Sequence, residues 1–143
     1  MKQTRTLNIY TDGGARGNPG PSAIGVYIAN EQDEVLDSIG KRIGRQTNNV
    51  AEYSAILEAL GWIIENRPKL PKLLRINVFM DSNLASSQLN GLYKVKNASL
   101  RSLIFEIRQK EALISLPIFY SHIPREKNRK ADELVNQALD ESI

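Results

Sequence analysis

Apolar and polar residues alternate from Leu7 to Asp12, again from Ala23 to Asn30, and again from Val35 to Ile43. A period of two marks half-buried strands, and the short polar connections between them predict an antiparallel meander. The period then changes. In TNNVAEYSAILEALGWIIEN, Val50, Tyr53 or Ser54, Leu57, Leu60 or Gly61, and Ile64 fall on one face, with Thr and Asn ahead as capping candidates. The segment predicts a helix of about four turns, ended by Pro68 and Pro71. LLRINVFMD reads as the next strand, closing on Asp81, and SNLASSQL as a short helix stopping near Asn90 and Gly91. Leu100 to Ala112 repeats a helical period, Pro117 to Ile123 reads as a last strand, and Asn128 to Ile143 as a last helix. The order βββαβααβα implies an α/β fold, a mixed five-stranded sheet covered by helices on both faces, within one domain spanning residues 1–143.

Composition narrows the chemistry. There is no cysteine, which removes disulfides, thiolate nucleophiles and thiolate metal sites together and suits a reducing cytoplasm. Any metal must be held by oxygen or by the single histidine. No apolar run approaches the length of a membrane span, and MKQTRTLNIY has no apolar core of a leader, so a soluble, unprocessed protein is expected. The net charge of +3 argues little by itself. Its distribution is more informative, with cations gathered at Lys41, Arg42 and Arg45, at Lys69 and Lys72, at Lys94 and Lys96, and from Arg125 to Lys130.

The stretch TDGGARGNPGP follows the first strand. It lacks GK[ST] and GxGxxG and runs into another strand, which argues against a nucleotide-phosphate loop. A wide hairpin accounts for the glycines but requires neither Asp12 nor Asn18. Glycines at 13 and 14 would also let a ligand approach main-chain amides closely. Three further acids have ordinary explanations when taken singly. Glu52 completes a possible capping box with Asn49, Asp81 stands where a strand-to-helix turn is capped, and Asp132 suits a solvated helix face. Together they are less ordinary. Parallel strands bring Asp12 and Asp81 to one edge of the sheet, and the helix starts at Glu52 and Asp132 can face the same spot. Clustered carboxylates repel unless cations neutralise them, and all-oxygen ligation points to Mg²⁺ or Mn²⁺.

YTDGGARGNPGP, TNNVAEYSAILEAL, FMDSNLASSQLNG and HIPREKNRKADELVNQAL, in this order and spacing, closely resemble type 1 ribonuclease H, from Leu7 to about Leu139. The resemblance implies an endonuclease that hydrolyses the RNA strand of RNA–DNA hybrids and leaves 3′-hydroxyl and 5′-phosphate ends. By motif, Asp12, Glu52, Asp81 and Asp132 match the family's catalytic, metal-binding carboxylates, which hold two Mg²⁺ ions roughly 4 Å apart, with Mn²⁺ as a substitute. Gly13, Gly14, Asn18, Asn48 and Asn49 match positions that read ribose 2′-hydroxyls, and Thr47 matches a hydroxyl that holds a DNA phosphate. A monomer acting on a hybrid, with no membrane partner, is implied.

Two departures from well-known members stand out. The loop before the last helix, which often carries a product-releasing histidine, shrinks to HIPREKNRKAD. His122 is therefore expected in the strand with a structural role, and Arg125 near the scissile phosphate, as in relatives with PRE there. The family's basic protrusion is missing, because Leu92 to Ser99 is only a short connection. Tyr93, Lys94, Lys96 and Asn97 are candidates for its work, with a merely solvated loop as the alternative. A hybrid-binding module that has lost catalysis would be expected to lack a carboxylate, and all four are present.

Overall fold

A computed structural model of the chain describes residues 3–91 and 94–141. Three strands come first: β1 (Thr6–Ala15), β2 (Gly20–Asn30) and β3 (Val35–Gln46). They are followed by α1 (Asn48–Asn66), β4 (Arg75–Met80), α2 (Asn83–Leu89), α3 (Ala98–Ile114), β5 (Ile118–His122) and α4 (Arg129–Asp140). Short 3₁₀ turns occupy Arg67–Lys69 and Arg125–Lys127. The sheet order is β3-β2-β1-β4-β5, with β1–β2 and β2–β3 antiparallel and β1–β4 and β4–β5 parallel. The expected fold class and element order are those of the molecule.

Three boundaries differ for physical reasons. β1 does not end at Asp12. Asp12, Gly13 and Gly14 stay extended and pair with Gly25, Ile24 and Ala23, so the apparent wide hairpin shrinks to the turn between Ala15 and Gly20. There the Arg16 amide donates to the Pro21 carbonyl at 2.8 Å. β3 likewise continues past Ile43, pairing as far as Gln46 opposite Gly20. Finally, α1 has 19 residues, about five turns rather than four.

The core lies between the sheet and α1, with α3 packed against α1 and contributing Leu100, Ile107 and Ile114. Leu7 and Ile9 of β1, Val26 and Ile28 of β2, and Ile76, Val78 and Met80 of β4 are all buried on this side. The most buried stripe of α1 is Tyr53, Ile56, Leu60 and Ile63, of which Tyr53 and Leu60 belong to the expected face and Ile56 and Ile63 lie beside it. Val50, Leu57 and Ile64 flank it, half-buried. A helix held between a sheet and another helix needs a broader apolar arc than one packed on a single surface, so the expected face supplies part of that arc and Ile56 and Ile63 extend it.

α4 crosses the other face of the sheet, where Ala23, Val135, Ala138 and Leu139 form a small second core. It can lie close because two cross-strand neighbours lack side chains. Gly25 pairs with Gly40. A Cβ on Gly25 would meet the Ala131 carbonyl oxygen at 2.2 Å, and one on Gly40 would meet the Leu134 carbonyl oxygen at 2.7 Å.

Candidate active site

The parallel pairing of β1 with β4 has Thr11 opposite Met80. The next residue in each case is an acid, so Asp12 within β1 and Asp81 just past the end of β4 emerge side by side. Glu52 joins them from the second turn of α1. One carboxylate oxygen of each of Asp12, Glu52 and Asp81 lies within 4.8 Å of the others. Asp132, in the first turn of α4, lines the same cleft and raises the pKa of Asp12, yet stands outside that tight trio. The cleft, of about 400 Å³, is also lined by Gly13, Gly14, Asn48, Asn49, Ser82, Arg16, Arg125 and Asn136.

Neither Glu52 nor Asp81 is a cap. Thr47 caps α1, its Oγ1 accepting from the Val50 amide at 3.2 Å, and Ser82 caps α2, its Oγ accepting from the Ala85 amide at 3.1 Å. With the caps supplied by neighbours, local helix chemistry does not explain either acid. The capping-box reading of Asn49 and Glu52 is thereby corrected.

The electrostatics of the trio are unfavourable without a counter-charge. Burial, then Asp81 and Asp132, push the Asp12 carboxyl up to about 7. Glu52 is raised well above the ordinary glutamate range, first by burial and then by Asp12 and Asp81, while hydrogen bonding from the Gly13 backbone acts in the opposite direction. Such a cluster holds divalent cations well, because oxygen-rich, anionic sites replace part of a hard ion's hydration shell. Arg125 stands beside it, its Nε 4.0 Å from Asp81 Oδ2 and its side chain 85% exposed, whereas Arg16, also on the cleft wall, pairs with Asp140.

The other expected site residues separate into groups. Gly13 is buried, and a Cβ there would meet Ala51 C and O at 2.2 Å and Glu52 N at 2.5 Å. The missing side chain lets helix α1 lie close to β1 here, while the residue still lines the cleft. Gly14 is more open, with only Val135 Cγ1 at 3.5 Å from a built Cβ. Asn18 Oδ1 accepts from the Asn48 amide at 3.0 Å, and Asn48 Oδ1 accepts from the Ala15 amide at 2.9 Å. Both side-chain acceptors are therefore committed to the turn, and the two carboxamide NH₂ groups are the ends left to meet a ligand. Lys94 and Lys96 are exposed ahead of α3 and do not line the cleft. Asn97 caps α3 through the Leu100 amide at 3.1 Å, so it is a structural residue, and Tyr93 lies outside the described residues. His122 is the exposed last residue of β5.

Sequence reasoning missed three positions. Gly25 and Gly40 seat α4, and glycine inside a strand pattern was the available signal. Asn128 is 1% exposed and its Nδ2 donates to the Thr11 carbonyl at 2.9 Å, tying the start of α4 to the strand residue before Asp12. Nothing in a charged run such as REKNRK announces that bond. Replacing Gly25 by Ala is expected to push α4 off β2, lowering stability by about 2 kcal/mol or more and weakening divalent-ion binding through displaced Asp132. Thermal melts and calorimetric ion titration of the folded variant check both effects.

The comparisons agree with this geometry. A family model described as Reverse transcriptase-like matches residues 10–138. A ribonuclease HI of Halobacterium salinarum is 34% identical over 137 residues, and a ribonuclease H of Clostridium botulinum is 31% identical over 144 residues, covering 95% of that protein. The chain belongs to the type 1 ribonuclease H family. Among solved structures, LC11-RNase H1 from compost superposes with a TM-score of 0.89 at 45% identity, covering 95% of this chain and 96% of that one. The same enzyme solved in complex with an RNA/DNA hybrid gives 0.86 at 44% identity. Coverage of relatives varies. The matched region is 95% of this chain but 65% of the Halobacterium ribonuclease HI, and 92% of this chain but only 35% of a bifunctional Mycobacterium tuberculosis protein that is 39% identical. The chain thus spans about two thirds and about one third of the length of these two relatives. No helix among the described residues is long and apolar enough to cross a membrane.

Proposed function

We propose that this protein is a metal-dependent endonuclease that hydrolyses the RNA strand of RNA–DNA hybrids, leaving 3′-hydroxyl and 5′-phosphate ends. The carrying observation is the trio Asp12, Glu52 and Asp81, three carboxylates gathered within 4.8 Å in a cleft that burial and mutual repulsion make unfavourable for anions alone. Asp12, Glu52, Asp81 and Asp132 would hold the ions, Mg²⁺ first and Mn²⁺ as a substitute. When bound, two such ions supply Lewis acidity at the attacking water and at the departing 3′-oxygen. The chain's own residues fix the geometry. Asp12 interacts electrostatically with Glu52, Asp81 and Asp132 alike, so it would share with each of them in holding the ions.

Substrate selection is assigned to the rim. The carboxamide NH₂ groups of Asn18 and Asn48, with Asn49 and the backbone beside Gly13 and Gly14, face ribose 2′-hydroxyls, the groups that distinguish RNA from DNA. Thr47 uses a lone pair for its cap, so its exposed hydroxyl hydrogen remains available to a DNA phosphate. Lys94 and Lys96 add charge for a longer substrate, away from the cleft. The unit is read as one domain over 1–143, a monomer working in the cytoplasm.

Purified protein incubated with labelled hybrid, double-stranded RNA, single-stranded RNA and double-stranded DNA tests this reading. Cleavage of the RNA strand in the hybrid is expected with Mg²⁺ or Mn²⁺ and none in excess chelator. Undiminished cleavage in chelator would refute the metal assignment, and hybrid binding without cleavage would favour a catalytically silent module.

Arg125 carries a separate expectation. A cation beside Asp81 and open to solvent is placed to meet the phosphate on which charge develops, so Arg125→Ala should lower single-turnover cleavage about tenfold, and His122→Ala much less. Lysine at 125 restores only part, lacking the planar fork that matches two phosphate oxygens. A larger loss at His122 in a folded variant reverses the two roles.

A further inference from the structure

The face of the sheet that α4 covers is covered over only part of its area. Alternation places Tyr10 on the same face of β1 as Asp12, two residues back, so about 7 Å along the strand. Tyr10 pairs directly with Tyr27 of β2 and with Phe79 of β4. The three rings form a row across the sheet: Tyr10 and Phe79 are stacked at 5.0 Å and 28°, and Tyr10 and Tyr27 lie 6.2 Å apart. All three are half-exposed. In the next row Asn77 Nδ2 donates to Asn8 Oδ1 at 3.0 Å, and beside it the Arg75 guanidinium lies 4.2 Å over the ring of Phe119.

Between this row and the cleft runs the segment Arg125–Lys130, four cations against one carboxylate. Asn128 pins it across β1 at Thr11, between Asp12 and Tyr10. Its one side presents Arg125 to the cleft. On its other side Lys127, Arg129 and Lys130, with Glu126, wall a pocket of about 280 Å³ whose floor is Tyr10, Tyr27 and Ala29 and whose far edge is Asp33. The dimensions suit one nucleoside.

We propose that this pocket is a second nucleic-acid site, which takes an unpaired nucleotide of a single strand leaving the cleft. Aromatic side chains on an open sheet offer a stacking floor that accepts any base, and flanking lysines and arginines meet the backbone phosphates. Asp33 stands at the pocket edge, where a carboxylate can accept from an N–H of a base, such as the ring N3–H of thymine. Charge and shape together select the occupant. An acidic peptide would satisfy the cations but has no use for a tyrosine floor. Continuity supplies the rest, since the same basic segment borders both sites and a strand passing Arg125 next meets Lys127. The idea that the strand comes from the cleft rests on the proposed hybrid cleavage; the pocket itself does not.

The test is fluorescence anisotropy of a labelled six-residue oligothymidylate with the full chain, across a salt series, beside cleavage of a blunt-ended hybrid. Wild type is compared with Tyr27→Ala and with the double variant Lys127→Gln/Lys130→Gln. We expect oligothymidylate affinity to fall about tenfold in Tyr27→Ala, and the log–log salt slope to fall by about 0.7 for each lysine removed. Blunt-hybrid cleavage should stay within about twofold of wild type in both. The lysines are exposed, so the double variant decides the matter even if Tyr27→Ala misfolds. Unchanged oligothymidylate binding overturns the proposal, as does a parallel loss of blunt-hybrid cleavage, which would assign these residues to the cleft. Competition by poly-glutamate equal to that by unlabelled oligothymidylate also overturns it, leaving a general anion surface. Absence of hybrid cleavage in wild type would instead count against the proposed function, with oligothymidylate binding still judging the pocket.

Discussion

Asp12→Asn should abolish hybrid cleavage while making the metal-free protein more stable. The amide keeps the shape of the side chain at the edge of β1 but loses the charge that draws cations into the trio. A Lewis acid contributes several kcal/mol at a phosphoryl centre, and each ~1.4 kcal/mol is a factor of ten, so a loss of about a thousandfold or more is expected. The stability gain comes from the same charge. In the folded, metal-free chain the Asp12 carboxyl is held at about 7, above its ordinary 3.8. Between those values the folded state binds the proton more tightly than the unfolded one, so stability is full at the acid end and falls as pH rises through the window. Asparagine removes that fall. At pH 8 in chelator the variant should gain on the order of 2 kcal/mol, less than the whole shift because Glu52 shares the repulsion. Added Mg²⁺ should narrow the difference by stabilising only the wild type. Single-turnover cleavage and urea titrations at two pH values, with and without Mg²⁺, measure all of this. Near-normal turnover in the variant would remove Asp12 from the site, and equal stabilities at pH 8 would show that the cluster carries no uncompensated charge.

Gly13→Ala is the second large effect, and it reaches function through packing. A methyl group there would sit 2.2 Å from the Ala51 carbonyl carbon and oxygen and 2.5 Å from the Glu52 amide nitrogen, all of them backbone atoms in α1. Main chain inside a helix cannot swing aside as a long side chain does, so β1 and α1 must separate. The expected cost is roughly 3 kcal/mol or more. The variant that remains folded should also bind Mg²⁺ more weakly, because Glu52 moves away from Asp12 when the helix moves. Gly14→Ala is the control. Its methyl group meets Val135 Cγ1 at 3.5 Å, ordinary contact, and stability should change by no more than about 0.5 kcal/mol. Equal melting temperatures for the two alanine variants would contradict the close approach of strand and helix at Gly13.

Element order, the break from a period of two to a helical period at Thr47, and the four acids were legible along the chain because each depends on residues within a turn or two of one another. Even the meeting of Asp12 with Asp81 followed from local reasoning, since parallel strands present their carboxyl ends together. What the tertiary structure decided involves partners far apart in sequence. Whether the glycines after Asp12 turn or extend depended on β2 pairing with them, and it extended β1 to Ala15. Glu52 has the position of a capping residue, but Thr47 fills that role, and the close packing of α1 against Gly13 is invisible along the chain. The seat of α4, and with it Asp132, rests on Gly25, Gly40 and the bond from Asn128 to Thr11. Hydrophobic period reports which side of an element is buried, but not how closely another backbone approaches it. That distance is set by the absence of side chains at positions brought together only by folding, and here it determines how near four carboxylates come to one another.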